Sequence, residues 1–502
     1  MPSSRTRECR SVVVVAQTPD PETTGTLTGE VRAAGHVRRE SILRERARRV
    51  VAGSGPPTLA LSTPRRHSGL AAETERSVLD LVLRTGEAMI ATGAPVADVT
   101  AALLRLAAAY GVMNCHVDIT FISISASIDR DDDPITKMRV INVRTSDYSR
   151  LADLFLMVDD AAAGRLPLDQ AHPRLDSVLA SPHPYKRWVV TLALAVMAAA
   201  ISGLLGGGWQ VALIAAGTTG IIDRTLRVLR RWGLPYLFQQ AAGASIATLV
   251  AIAILWGQDF FQWDRDVVPP SLVVASGIVV LLAGMQLVGA AEDAISGYPL
   301  TAAAKSFEVA LYTIGLVVGI GFVLDIGSRL GIPLYIGDVF GNAPSGYVQV
   351  ACGAVIAGAW AVASYTQARN VGLIMLVGAV AAGLFYLVDT LWLGPAGAAF
   401  FAALAVGLLA GVIGDRGRLP SLVVSVCGVT PMLPGLSIYA AMFEFIESGD
   451  VIGGGQLGIR ALSIGLALAA GVTLGEFGAY PLRSEMDRWE RRVRRRARGA
   501  RI

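Results

Sequence analysis

Hydrophobic and polar positions follow three different rhythms along this chain. Over Glu73–Thr92 apolar residues recur at helical spacing (Val78, Leu81, Val82, Met89), and the pattern stops at Gly93, a residue suited to closing a helix. Pro95 fits the first turn of a second helix, with Val99, Leu103 and Leu106 as its buried stripe and an end near Tyr110-Gly111. His116–Ile128 alternates through Val117, Ile119 and Phe121, then slips phase to Ile122 and Ile124, which predicts one strand with a bulge or two-sided burial. A turn at Asp129–Pro134 and a strand over Lys137–Thr145 complete a hairpin, and two helices are expected near Ser149–Ala163 and Pro167–Leu179. Residues 72–185 therefore read as a small α/β domain.

From Trp188 the rhythm gives way to continuous apolar runs. Ten are expected, at 188–206, 209–223, 236–256, 271–291, 302–324, 347–366, 371–389, 396–414, 421–442 and 457–479. Each is near the ~20 residues that cross ~30 Å of hydrocarbon as a helix. Residues 1–71, rich in Pro, Gly, Ser, Thr and Arg, read as a disordered basic tail whose stretch Arg38–Arg49 could touch anionic lipid. Residues 482–502 form a second basic tail.

Composition agrees. Hydrophobic residues make up 53% and charged residues 17%, against about 25% charged in ordinary soluble domains, and the mean hydropathy is +0.51. The run Val12–Ala16 is too short for the core of a cleavable signal, so the first span is expected to direct its own insertion. The cysteines Cys9, Cys115, Cys352 and Cys427 are isolated, which indicates neither a zinc site nor a disulfide frame. Asp129, Asp131 and Asp133 have the spacing of a calcium loop, but Pro134 and Val140 stand where Gly and Glu are needed. No phosphate-binding loop, nucleophile elbow or zinc-protease motif is present. His116 and Asp118 share a strand face and read as structural. No metal, cofactor or nucleic-acid partner is expected.

Arginines set the orientation. With both termini cytoplasmic, the inner loops hold Arg224, Arg227, Arg230, Arg231, Lys305, Arg369, Arg416 and Arg418, while the outer loops hold only Arg265 and Arg329 beside acidic Asp259, Asp264, Asp266, Asp338, Glu447 and Asp450. That is the asymmetry of a multi-pass protein with positive charge inside. The segment Pro270-Ser-Leu-Val-Val274 recurs as Pro420-Ser-Leu-Val-Val424, and the match continues through Gly277 with Gly428, Leu282 with Leu433, Gly284 with Gly435, Asp293 with Glu444 and Ile295 with Ile446. Both copies are the fourth of five segments. The expected fold is thus two inverted five-helix repeats, 186–345 and 346–481, an arrangement used for alternating access.

The ninth segment, Cys427-Gly-Val-Thr-Pro-Met-Leu-Pro-Gly435, holds two prolines and two glycines, which interrupt a helical ladder and expose backbone groups suited to an amino-acid carboxylate and ammonium. Candidate substrate contacts are Thr430, Pro431, Pro434, Gly435, Gly284, Gln286 and Ser437. With no histidine after His183, proton coupling would need carboxylates: Asp293, Glu308 and Glu444, with Glu476 a weaker candidate. An intramembrane carboxylate costs roughly 2.5–3.5 kcal/mol on insertion scales. Lys305 lies three residues before Glu308 and could pair with it.

Gly86-Glu-Ala-Met-Ile-Ala-Thr-Gly-Ala94, the helix to Gly111, the strand ending Ile-Ser-Ile-Ser-Ala and the segment Thr430-Pro-Met-Leu-Pro-Gly435 resemble the threonine/serine exporter family over about residues 72–480. The resemblance implies export of L-threonine and L-serine across the plasma membrane, driven by protons. Some relatives split the halves into separate proteins linked to dicarboxylate export. A succinate-like cargo is therefore an alternative, a membrane-anchored hydrolase a second, and a passive channel a third. A homo-oligomer is compatible with the sequence.

Overall fold

Where the helical period of the sequence breaks, the backbone turns. The computed structural model describes residues 72–129, 134–141, 145–261, 268–279, 281, 284–330, 344–391, 393–414, 419–435, 437–438, 440–441, 444 and 451–499. The expected tail 1–71, the aspartates 131 and 133, and the loop residues Asp264, Arg265, Asp266, Asp338, Arg416, Arg418, Ile446, Glu447 and Asp450 lie outside them.

Helices α1 (Ala72–Ala91) and α2 (Val96–Ala109) are joined through Gly93, whose φ of +100° only glycine adopts without strain. Their stripes meet: Leu81, Val82, Met89, Val99, Leu103 and Leu106 are fully buried, each worth about 1.5–3 kcal/mol. Strands β1 (Cys115–Thr120), β2 (Ser123–Ile128) and β3 (Ile135–Val140) form an antiparallel sheet in the order β1-β2-β3. The expected single strand with a bulge is two strands. Its phase slip is the two-residue turn Phe121-Ile122, which pairs Thr120 with Ser123 and is tied by the Ile141 N–H to the Ile122 carbonyl at 2.7 Å. Ile124, Ala126 and Ile128 face the helices. Helices α3 (Tyr148–Ala162) and α4 (Leu168–Leu179) complete the domain.

The remainder is helical: α5 (Arg187–Leu204), α6 (Trp209–Arg231), α7 (Tyr236–Phe261), α8 (Pro270–Val279), α9 (Gly284–Ile295), α10 (Pro299–Arg329), α11 (Gly346–Ala363), α12 (Ala368–Thr390), α13 (Gly394–Gly414), α14 (Ser421–Val429) and α15 (Val451–Gly499). Among the described residues seven helices are long and apolar enough to cross a membrane: α5, α7, α10, α11, α12, α13 and the first part of α15. The chain is a multi-pass helical membrane protein with a small amino-terminal domain that contains the sheet.

Three of the ten expected segments differ from that simple form. The second lies in α6, whose carboxy-terminal half carries Asp223, Arg224, Arg227, Arg230 and Arg231; Asp223 accepts from Thr191 at 2.7 Å and pairs with Arg227. The fourth and ninth are the segments that share the Pro-Ser-Leu-Val-Val motif, and both are interrupted. In one, Leu281 lies in a turn between α8 and α9, its N–H bonding the Ile278 carbonyl at 2.8 Å. The other passes from α14 into a 3₁₀ turn, Thr430–Met432, then into extended Leu433 (ψ 139°) before Ile438 N–H bonds the Pro434 carbonyl.

Small residues set the closest helix crossings, as expected where lipid supplies no hydrophobic drive between helices. Gly315 and Gly319 of α10 face the carbonyls of Leu237 and Ala241 on α7, and Gly471 and Gly475 of α15 face those of Phe400 and Leu404 on α13. The registers ascend together, so α7 runs parallel to α10 and α13 parallel to α15. In contrast, α5 and α11 are antiparallel: Arg187 donates to the Tyr365 hydroxyl at 2.6 Å just past the end of α11, while Gly203 lies against Cys352 near its start.

The amino-terminal domain grips the membrane helices at two places. At the first, Tyr148 N–H donates to the Ser364 carbonyl at 2.9 Å, and His183 stacks on Tyr365, with ring centroids 4.4 Å apart. Tyr365 holds a φ of +61°, a strained value for a residue with a side chain. Asp147, 1% exposed, caps α3 through the Arg150 N–H at 3.1 Å and takes His183 Nδ1 at 2.9 Å. At the second, the start of α2 meets the buried carboxylate of Asp293 on α9.

Candidate functional site

A cavity of about 530 Å³ lies between the amino-terminal domain and the membrane helices, within the size range of small-molecule sites. Its upper wall is the α1–α2 turn, Gly93–Val96, and the β1–β2 turn, Thr120–Ile122. Its membrane wall comes from the starts of α7 and α10, from α9, α14 and α15. Leu422, Ser425, Val426 and Val429 are spaced as one face of α14, so the cavity follows that helix to its interruption.

Charge converges here. Glu292, Lys305 and Glu308 line the cavity with Gln286, Thr301 and Tyr312. Directly behind, Asp293 is 1% exposed and takes Lys305 Nζ at 2.6 Å. Its other oxygen accepts the N–H of Val96, the first residue of α2, at 3.4 Å. Glu308 accepts the Tyr312 hydroxyl at 2.7 Å, and Glu476 accepts the Ser425 hydroxyl. Tyr236 and Tyr312 lie side by side with ring centroids 5.8 Å apart. Asp98, in the first turn of α2, joins the cluster from above: burial, and then the neighbouring Asp293 carboxylate, push its pKa up to about 6. Burial likewise pushes the Tyr148 hydroxyl up, so it remains a neutral donor.

Of the residues singled out from sequence, Gln286 and Glu308 line the cavity and Asp293 backs it. Lys305 pairs across to Asp293 on α9, a partner its own helix does not supply. Gly284 opens α9 two residues before Gln286. Thr430 is buried and donates to the Val426 carbonyl at 2.9 Å; Pro434 and Gly435 are buried, and Pro431 and Ser437 are half-buried. These five belong to the interruption, directly beyond the cavity-lining Val429. Glu444 is half-buried and does not line this cavity. Asp98, Glu292 and the two turns of the amino-terminal domain were not singled out, because what makes them notable is contact between residues about two hundred apart. Among the described residues no cluster could hold a metal ion.

Comparison with known proteins gives a consistent picture. The family model described as "Putative threonine/serine exporter" matches residues 80–327, and that described as "Threonine/Serine exporter, ThrE" matches residues 349–477. The "Probable threonine/serine exporter" of Mycobacterium tuberculosis is 41% identical over 424 residues, covering 81% of this chain and 77% of that protein. The "Threonine/serine exporter" of Corynebacterium glutamicum is 36% identical over 420 residues, covering 81% of this chain and 83% of that protein. The "Probable succinate transporter subunit YjjP" of Escherichia coli is 25% identical over 261 residues, 52% of this chain and 98% of that protein. No solved structure matches.

Proposed function

Because the chain belongs to the threonine/serine exporter family, we propose that it carries L-threonine and L-serine outward across the plasma membrane in exchange for protons, through the cavity beneath its amino-terminal domain. The observation that carries this reading is the charge set of that cavity. Glu292 and Glu308 suit the substrate ammonium, Lys305 and the Gln286 amide its carboxylate, and Thr301 and Tyr312 its hydroxyl. A transporter of this family is not an anchored hydrolase. The dicarboxylate alternative draws support from the succinate-transporter relatives, but a cavity whose one lysine is already paired with Asp293, with Glu308 on its wall, repels a dianion and tolerates a zwitterion.

Ten crossings in two inverted halves, 186–345 and 346–481, are the topology that best fits this activity. The seven apolar helices are then joined by α6 and by the two interrupted segments. Parallel α7 and α10 need a segment between them that returns across the bilayer, and α8–α9 is that segment; the interrupted segment that begins with α14 has the same position between parallel α13 and α15. The antiparallel packing of α5 and α11, first helices of the two halves, is what inversion requires. The loop arginines favour a cytoplasmic location for both termini and the domain 72–185. A reporter fused after Arg329 is expected to face the exterior; a cytoplasmic signal there would overturn the inverted arrangement.

The functional test uses purified protein in liposomes loaded with labelled threonine. Efflux is expected when a pH gradient is imposed, with competition by unlabelled serine and none by succinate. No flux of any small amino acid overturns the reading, and competition by succinate alone moves it to dicarboxylates.

A further inference from the structure

Taking the cavity as the transport site, we infer that Gln240 selects hydroxylated amino acids: its amide, on the wall between α7 and α10, hydrogen-bonds the side-chain hydroxyl of the substrate and disfavours aliphatic isosteres. The assignment deepens the exporter reading and rests on it. Gln240 lines the cavity, yet its Oε1 is buried in the wall with no hydrogen-bond partner among the described residues. Its neighbour Gln239 is the contrast. That residue is 4% exposed and its amide is spent on structure, Nε2 donating to the Leu234 carbonyl at 2.7 Å. No hydrogen bond holds the Gln240 oxygen inward. The last torsion of a glutamine is broad, so rotating it presents the oxygen or the N–H to the cavity with no bond to break. The stem of the side chain is fixed instead. Helices α7 and α10 pack through Gly315, where an added Cβ would lie 2.6 Å from the Leu237 carbonyl oxygen and 3.1 Å from the Gln240 Cβ. An amide that swings from a pinned base pays less ordering entropy for a new hydrogen bond.

Its neighbours decide what reaches this amide. Along α10, Lys305, Glu308 and Tyr312 line the cavity at helical spacing, and Gly315 is the next position on that face. Charge is confined to the earlier turns: Lys305 pairs with Asp293, and Glu308 accepts the Tyr312 hydroxyl at 2.7 Å. Beside Tyr312 stands Tyr236, and Gln240 follows Tyr236 one turn later on α7. A zwitterion whose charged ends lie against Lys305 and Glu308 therefore turns its side chain toward the neutral end of the wall. A hydroxyl there donates to Oε1 or accepts from the N–H, so it satisfies the amide whichever way the amide is turned. A methyl group in the same place displaces any water the amide holds and returns no hydrogen bond. A site that hydrogen-bonds a hydroxyl rejects the analogue lacking it far better than an apolar pocket rejects an added hydroxyl. One unmet buried amide is expected to disfavour the analogue about tenfold to a hundredfold.

The test is a selectivity ratio. Liposomes containing the purified full-length protein are loaded with threonine, and exchange against labelled threonine is inhibited either by threonine or by valine, which carries a methyl group in place of the hydroxyl. The two half-inhibiting concentrations are divided, and serine against alanine gives a second ratio. The unaltered protein is expected to favour the hydroxylated member of each pair by about tenfold or more. Gln240→Met keeps the length of the side chain and removes the amide, and is expected to bring both ratios to within about threefold of one. Gln240→Ala removes the amide by truncation and is expected to do the same, which covers the case of a methionine not tolerated beside Gly315. Gln240→Glu keeps an acceptor at the same length and is expected to retain a preference of about fivefold or more. No preference in the unaltered protein, unchanged ratios without the amide, or an equal fall in Gln240→Glu overturns the assignment and leaves threonine exchange standing. Absence of exchange with every small amino acid in the unaltered protein overturns the exporter reading itself, and the role of Gln240 with it.

Discussion

Lys305→Met is expected to abolish transport and to destabilise the protein by about 3 kcal/mol, because it leaves a buried carboxylate without its cation. Asp293 is 1% exposed and Lys305 stands 2.6 Å away as its ion-pair partner. The reverse change, Asp293→Asn, costs less: Lys305 keeps a quarter of its side chain accessible and faces a cavity that holds Glu292 and Glu308. The double variant is therefore expected to be more stable than Lys305→Met alone, with a coupling of about 1–3 kcal/mol read from thermal unfolding in detergent. Transport behaves differently. All three variants are expected to lose threonine efflux at least a hundredfold, since the pair also fixes the cavity cation that receives the substrate carboxylate. Efflux restored in the double variant would show that the pair serves stability alone.

That cluster also marks the limit of what local sequence pattern conveys. Asp293 and Glu308 were legible because a carboxylate within or beside an apolar run is costly and stands out. Asp98 was not, because an acid in the first turn of an amphipathic helix is what any helix start favours. Only the fold brings it to Asp293. The helices of the amino-terminal domain were legible from Gly93 and Gly111, which end them at positive φ. Its first strand was misread because Phe121-Ile122 has none of the Asn or Gly that usually signals a two-residue hairpin. In the membrane region, Pro431 and Pro434 announced the interruption of the ninth segment. The fourth carries Val280 and Ala283 at the matching positions, and its interruption after Val279 has no signal in residue propensity.

The largest structural effects are expected from two glycines in equivalent places, Gly319→Val and Gly475→Val. A Cβ on Gly319 would lie 2.2 Å from the Ala241 carbonyl oxygen, and one on Gly475 would lie 2.3 Å from that of Leu404. Neither neighbour is a flexible side-chain end, so α10 would have to separate from α7, and α15 from α13, along their whole contact. Overpacking of this kind costs about 3 kcal/mol or more, and loss of folded, monodisperse protein in detergent is the expected readout for each. Gly321→Val and Gly458→Val are the controls: they lie on the same two helices and meet nothing within 4 Å. They are expected to change the unfolding midpoint little, since the added side chain meets no neighbour and valine is no poorer a helix former than glycine. The pairing of the two sites carries the argument further than either alone. Gly315 and Gly319 meet the carbonyls of Leu237 and Ala241 four residues apart, and Gly471 and Gly475 meet those of Phe400 and Leu404 with the same spacing. If the two five-helix halves are copies of one unit, both sites hold the fifth helix of a half against its third, and the two penalties should match within about 1 kcal/mol. A tolerated Gly475→Val beside an unfolded Gly319→Val would mean that the second half is held together by other means, and the equivalence of the halves would fail with it.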